Sequence, residues 1–168
     1  VFKSSKLSKV SGDEVFSFLE RRRGILDGVV ICGGEPTFQR DLGRFLGRVK
    51  EMGFLTKLDT NGSRPDVLEE LLKGSLLDFA SLDVKAPLDE RYRRSAGVGA
   101  VREAVRRSIG VLIRGDTDFE LRTTVVPTLH RKKDLVDIAA HLSSLTPHPS
   151  SLKWYLQQFQ PKGCLDPK

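Results

Sequence analysis

Two periodicities alternate along the chain. From Gly12, the run GDEVFSFLERR places Val15, Phe18 and Leu19 on one face at helical spacing, with Phe16 beside it. Ser11 or Asp13 stands where a helix N-cap belongs. DGVVICGG is then a short continuous apolar run, the pattern of a strand covered on both faces. RDLGRFLGRVKEMG returns to helical spacing through Leu42, Phe45, Leu46 and Val49, and Gly53 ends it. FLTKLDTNG predicts a second strand, and RPDVLEELLKG a helix with Pro65 in its first turn and Gly74 just past its end. The alternation continues with a strand in LLDFASLDVKAP and a helix in AVREAVRRSIGVLIRG, where Val101, Val105, Ile109 and Leu112 are in register. A strand in DFELRTTVVP, a helix in KKDLVDIAAHLSSL and a strand in LKWYLQQFQP complete the series.

The order α-β-α-β-α-β-α-β-α-β predicts an α/β fold of parallel strands joined by crossover helices. No linker divides it, so residues 1–168 read as a single domain. The longest loop is RYRRSAGVGA, Pro147 to Ser151 is irregular, and the tail after Pro161 is expected to be loose. A chain that opens on a helix is odd for a parallel sheet. The simplest repair is one further strand upstream of Val1, giving six βα units and making this domain N-terminally incomplete.

Composition narrows the class. With 39% hydrophobic and 30% charged residues, the 168-residue chain has the make-up of a globular domain with its own core. No apolar run approaches the ~20 residues needed to cross a bilayer, so no membrane partner is expected. The two cysteines, Cys32 and Cys164, fit no pairwise metal spacing and suggest a reducing, cytoplasmic setting. Cys32, inside an apolar run, reads as a small buried hydrophobe. The net charge of +6 suits an acidic protein, a nucleotide or a nucleic acid, but the basic residues are scattered and lack interleaved aromatics, which argues against nucleic acid. The densest basic run, ERRRG from Glu20, falls at a helix C-terminus, where cations offset the dipole.

Chemistry gathers at the predicted C-terminal strand ends, where parallel α/β folds hold ligands. The first strand ends in Gly33, Gly34, Glu35, Pro36 and Thr37, the second in Asp59, Thr60, Asn61 and Gly62, and the third in Asp83, Val84, Lys85, Ala86 and Pro87. The fourth carries Glu120, Arg122 and Thr124 on one face, and the fifth carries Gln157, Gln158 and Gln160. A single DTNG is an ordinary turn; four such ends in succession point to a ligand. Asp83 and Lys85 share a side, and a polar pair aimed into a barrel must be paired or must hold something. Gly33 and Gly34 let the main chain approach a ligand, Glu35 offers a carboxylate suited to an ammonium, and Pro36 fixes the turn. An amino-acid moiety fits these groups. Arg122 either meets that ligand or a target, or pairs internally with Glu120 or Asp83. His130, in the loop after strand four, either touches ribose or substrate or is a solvated loop histidine. Trp154 and Tyr155 read as core and rim of the last strand; His141 and His148 carry no assigned role.

GGEPT after a strand, followed by DTNG and DVKAP, resembles the radical S-adenosylmethionine enzymes. More narrowly, the chain resembles activating enzymes of glycyl-radical proteins, in particular the anaerobic ribonucleoside-triphosphate reductase activating group. The stretch from Gly28 to Leu72, with RTTVVP and the closing QQFQPKGCLDP, carries that likeness. The resemblance implies a partial (β/α)6-type radical SAM barrel with its first strand and cluster loop absent from this chain. It implies S-adenosylmethionine as cofactor, with its amino group at Gly33, Gly34 and Glu35 and its carboxylate near Asp59, Thr60, Asp83 and Lys85. Asn61 either joins that group or shapes the turn, and Arg122 and His130 are further cofactor-side candidates.

A [4Fe-4S] cluster is also implied, held by Cys-x3-Cys-x2-Cys, and the chain has no such motif. The cluster is therefore expected only in a longer protein; the alternative is a cluster-free S-adenosylmethionine-binding or scaffold relative. No metal ligand or catalytic residue is named within these residues. The implied reaction passes an electron from the cluster to the sulfonium, and the resulting 5′-deoxyadenosyl radical takes a hydrogen atom from a glycine of a partner glycyl-radical enzyme. An electron donor is a second implied partner, and the chain alone is expected to be inactive. An unrelated α/β enzyme of phosphate ligands is a third reading, without a G-x4-G-K-[ST] loop to support it.

Overall fold

The computed structural model describes residues 10–93 and 101–160. The order of elements is α1 (Gly12–Glu20), β1 (Gly28–Ile31), a 3-10 turn (Pro36–Phe38), α2 (Leu42–Glu51), β2 (Leu55–Thr60), α3 (Pro65–Lys73), β3 (Phe79–Asp83), α4 (Val101–Arg114), β4 (Asp118–Val125), α5 (Lys132–Ser143), a second 3-10 turn (Pro149–Ser151) and β5 (Trp154–Gln158). The five strands form one sheet in the order β1-β2-β3-β4-β5, every pair parallel. The α/β alternation expected from the sequence is thus the fold of the described residues.

The register divides the sheet into two unlike faces. Asp59 pairs with Ser81, Ser81 with Glu120, Asp83 with Arg122, and Arg122 with Tyr155, so the charged positions share one face. Leu58, Ala80, Leu82 and Leu121 lie on the other and are fully buried. They pack with Leu42 and Leu46 of α2, Leu68 and Leu71 of α3, Ile109 and Leu112 of α4, and Ile138 of α5. Burying such side chains contributes roughly 1.5–3 kcal/mol each, so the helices fix the polar face by holding the apolar one.

Local chemistry sets the ends of the elements. Ser11 and Glu14 form a reciprocal capping box on α1, selecting Ser11 over Asp13 as the cap. Gly53, at φ +86°, follows the C-cap Met52 of α2. After α3 the left-handed position falls on Ser75 (φ 52°) instead of Gly74 (φ −79°). Gly62 has φ +71°, and a Cβ there would stand 2.9 Å from the Leu82 side chain.

Phe18 points outward, with Arg22 5.0 Å from its ring centre, whereas Phe16 turns in and lies 5.2 Å from the Phe45 ring. Leu19, Val49 and Phe54 complete this separate small core under α1. β1 is an edge strand of the described sheet: Val30 is 54% exposed, not covered on both faces. Cys32 is exposed for the same reason, lying just past the last paired residue, Ile31. Among the arginines of ERRRG, Arg23 bonds Glu20 and also donates to the Met52 carbonyl 2.5 Å away, so it closes α2 as well as α1.

The start of RYRRSAGVGA is ordered rather than loop-like. Tyr92 is buried, its hydroxyl accepts from the Lys85 N–H at 3.3 Å, and burial pushes its phenol up to about 12. Arg91 pairs with Asp89, Asp134 and Asp137, tying this segment to α5. The rest of that stretch and the tail with Cys164 lie outside the described residues. Among the described residues, no helix is long and apolar enough to cross a membrane.

Gly62→Ala combines a positive φ with a clash and is expected to lose about 1–3 kcal/mol in urea unfolding. The bonds from Arg91 hold the Asp89 carboxyl down at about 2, against an ordinary 3.8. Its stabilisation is therefore complete above pH ~4 and lost as pH falls towards ~2. Thermal midpoints should drop across that window, and Arg91→Met should flatten the drop.

Candidate functional site at the strand ends

Glu35 joins the ends of β1 and β2. It precedes the 3-10 turn that Pro36 opens. Its Oε1 accepts from the Thr37 N–H (3.2 Å), the Thr37 hydroxyl (2.6 Å) and the Thr60 hydroxyl (2.8 Å). Its Oε2 accepts from the Asn61 N–H at 2.7 Å. The carboxylate is thus largely committed to the protein, and Oε2 keeps capacity for one further donor. Thr60 also accepts from the Gly62 N–H, and the Asn61 side chain accepts from the Ser63 N–H in an Asx turn. Thr60 and Asn61 therefore shape the β2 turn around Glu35.

Gly33 and Gly34 are exposed beside this tie. Gly33 has φ +133°, which requires glycine, but a Cβ at either position would meet no protein atom within 4 Å. The protein leaves open space over both α-carbons, so a side chain there would obstruct only an external group.

The polar face is organised by Arg122, whose side chain is 15% exposed. Its Nη1 donates to Asp59 Oδ2 at 3.2 Å, and its Nε and Nη2 lie 3.1 Å from Asp83 Oδ1. Burial works against its charge, but Asp83 and Asp59 outweigh burial and hold the guanidinium more firmly protonated than usual. Of the internal partners expected, Asp83 is one; Glu120 instead bonds Ser81 (2.7 Å) and Lys57 (3.4 Å) one layer below. There too burial opposes the charge, and Ser81 with Lys57 still keeps Glu120 below the usual carboxylate range. Lys57 lies 4.9 Å from the centre of the Phe79 ring.

One acceptor in this network is unmatched. Asp59 Oδ1 is buried and has no hydrogen-bond partner among the described residues; the Lys57 ammonium lies 4.0 Å from it. Such an atom in a folded protein takes its partner from outside the chain: an ordered water, an ion or a ligand. Lys85 is the complementary case: it is exposed two residues past β3 and makes no ion pair among the described residues. Asp83 therefore pairs with Arg122 and not with Lys85, which leaves the ammonium available.

His130 is neither solvated nor free. It is 9% exposed, its Nδ1 accepts from the Val126 N–H at 3.0 Å, and its Nε2 donates to the Lys85 carbonyl at 2.9 Å, the tautomer following from these partners. It positions the main chain at Lys85. His141 likewise accepts from the Leu88 N–H. Trp154 packs against the core and donates to Thr123, while Tyr155 is half exposed on the rim. Lys57, Ser81, Tyr92 and Thr37 are the residues the sequence reading left without a role. Period-two spacing from Asp59 and Asp83 would have found Lys57 and Ser81; nothing in the sequence marks Tyr92.

This site is an open polar surface. A groove of about 480 Å³ lies at the opposite ends of the strands, lined by Lys50, Asp78 and Arg114.

Residues 5–142 match the model of the Radical SAM superfamily. The chain belongs to the radical SAM superfamily. It is 36% identical over 145 residues to a putative glycyl-radical enzyme activating enzyme of Methanocaldococcus jannaschii, covering 83% of this chain and 58% of that protein. The chain thus spans a little over half the length of that relative. A crystallised domain of the pyruvate-formate lyase-activating enzyme of Bacteroides vulgatus shares the fold, with TM-score 0.56 and 21% identity over 70% of this chain and 72% of that one. Streptococcus suis SuiB bound to S-adenosylmethionine does so with TM-score 0.65 and 15% identity over 98% of this chain and 37% of that one.

The superfamily implies S-adenosylmethionine and a [4Fe-4S] cluster. The buried Asp59 oxygen, the unpaired Lys85 and the open space at Gly33 and Gly34 fit the first. The second does not fit these residues: the chain has two cysteines, and among the described residues no three metal-ligating side chains converge.

Removing the guanidinium strands two carboxylates. Arg122→Met is expected to cost about 1–3 kcal/mol in urea unfolding, less than a fully buried pair would because the site is open. A double-mutant cycle with Asp83→Asn should recover part of that loss.

Proposed function

We propose that the strand ends hold the amino-acid part of S-adenosylmethionine, and that the protein carrying this chain activates a glycyl-radical enzyme of the anaerobic ribonucleotide reductase type, with electrons from a donor protein. The observation that carries the reading is the pairing of opposite deficits among the described residues: a buried carboxylate oxygen without a hydrogen-bond donor on β2 and an ammonium without an ion pair after β3. A methionyl group carries both complements, an ammonium and a carboxylate.

In this reading the main-chain carbonyls around Gly33 and Gly34, with Glu35 Oε2, receive the ammonium. Lys85 receives the carboxylate, and Asp59 accepts from the ammonium or from a cation beside it. Arg122 acts by position: it anchors Asp59 and Asp83 and offsets their charge. Thr60 and Asn61 hold Glu35, and His130 holds the main chain of Lys85. When bound, S-adenosylmethionine supplies a sulfonium carbon–sulfur bond whose one-electron cleavage starts hydrogen-atom abstraction; the protein supplies orientation and electrostatics. The 36% identity to a protein named as a putative glycyl-radical enzyme activating enzyme supports that target class.

Titration calorimetry of the chain with S-adenosylmethionine is expected to give weak, saturable binding. Lys85→Met should weaken it about tenfold, the worth of one charge-assisted bond. Unchanged affinity in that variant, or no binding to the parent chain, contradicts the cofactor reading. The target is tested on the whole gene product under anaerobic reduction: 5′-deoxyadenosine and a glycyl-radical resonance on a ribonucleotide reductase partner are expected. 5′-Deoxyadenosine without the resonance rejects the target alone.

A further inference from the structure

A groove of about 630 Å³ opens between the Pro36–Phe38 turn, the start of α2 and the face of α3. It begins at Thr37, one of the residues that grip Glu35, and so adjoins the strand-end site. Its rim carries Arg40, Arg44 and Arg64, all exposed, and none forms an ion pair among the described residues. Among the described residues that line it, Glu70 is the one carboxylate, so these residues give the groove a local charge of +2 (three arginines less one glutamate). Phe38 is 60% exposed at the edge, with the Arg64 guanidinium 5.4 Å from its ring centre. The floor is apolar, formed by Leu42, Val67 and Leu71. Gly43 also lines the groove, where a larger residue would stand above Leu71 and Leu76.

The three features select one kind of occupant. Guanidinium forks recognise carboxylates and phosphates, but do so strongly only where no internal acid already holds them. A small anion would use the rim and leave the floor unused. A nucleic acid strand would stack on several aromatics, and this groove offers one beside a carboxylate. Exposed Arg and Phe around an apolar floor is the make-up of protein-interface hot spots. We propose that this groove docks a segment of a partner protein in which acidic residues flank an apolar side chain, the acids meeting Arg40, Arg44 and Arg64 and the apolar group entering over Leu71. The overall charge of +6 favours encounter with such a partner. The proposal stands apart from the cofactor reading, because Arg40, Arg44, Arg64 and Leu71 take no part in the strand-end site.

The test is fluorescence anisotropy with a labelled peptide in which glutamates flank leucines, at low salt. Binding to the full chain is expected. Arg44→Glu with Arg64→Glu should weaken it by about tenfold or more, and Phe38→Ala should weaken the peptide while leaving inorganic pyrophosphate unaffected. Arg21→Glu with Lys153→Glu, the same change of charge away from the groove, should weaken it far less. Circular dichroism melts confirm that the variants fold. No peptide binding, equal loss in both charge-reversed pairs, or tighter binding of pyrophosphate or a single-stranded oligonucleotide than of the peptide would each overturn the proposal.

Discussion

The contact of Arg122 with Asp59 and Asp83 is the interaction on which the polar face of the sheet depends. It joins three neighbouring strands with one side chain. Without it, two carboxylates on adjacent strands would face each other in a partly desolvated place. With it, the face carries near-balanced charge, and Asp59 keeps one buried oxygen without a hydrogen-bond donor among the described residues. A residue that serves structure in this way also sets the electrostatics that a ligand meets. Its contribution to ligand binding is therefore indirect, through the carboxylates it fixes.

Glu35 performs a comparable task one strand over. The sequence invites its reading as the partner of an ammonium, and the structure gives most of its acceptor capacity to Thr37, Thr60 and Asn61. The cradle is thus main chain held in place by side chains. Gly33 and Gly34 stay bare in open space while Glu35 fixes the chain that follows them. His130 repeats the device after β3, fastening the Lys85 carbonyl. Rigid turns that present unpaired groups lower the ordering cost of binding.

Most of the fold was legible because the parallel α/β pattern writes itself twice, once in apolar runs and once in helical spacing. Each of the five strands and the helices between them falls where periodicity puts it. The failures have physical causes. VVIC reads as a doubly covered strand, but coverage depends on neighbours, and β1 lies at the edge of the described sheet. Phe16 and Phe18 stand about 160° apart around the helix, on opposite flanks of the stripe that Val15 and Leu19 begin, so the direction in which that stripe faces the core decides which one is buried. Asp83 and Lys85 look like a pair by spacing; Arg122, thirty-nine residues away in sequence, outcompetes Lys85 through its register with Asp83. The fate of His130 rests on one loop carbonyl and one loop N–H, neither of which leaves a mark in the sequence.

The most direct test of the strand-end site is a two-dimensional amide NMR titration of the full chain with S-adenosylmethionine. The account predicts shifts concentrated at Gly33, Gly34, Asn61 and Lys85, with the Arg122 side-chain resonance moving alongside. Shifts centred instead on Lys50, Asp78 and Arg114 at the opposite ends of the strands, or spread without focus over the surface, would contradict it.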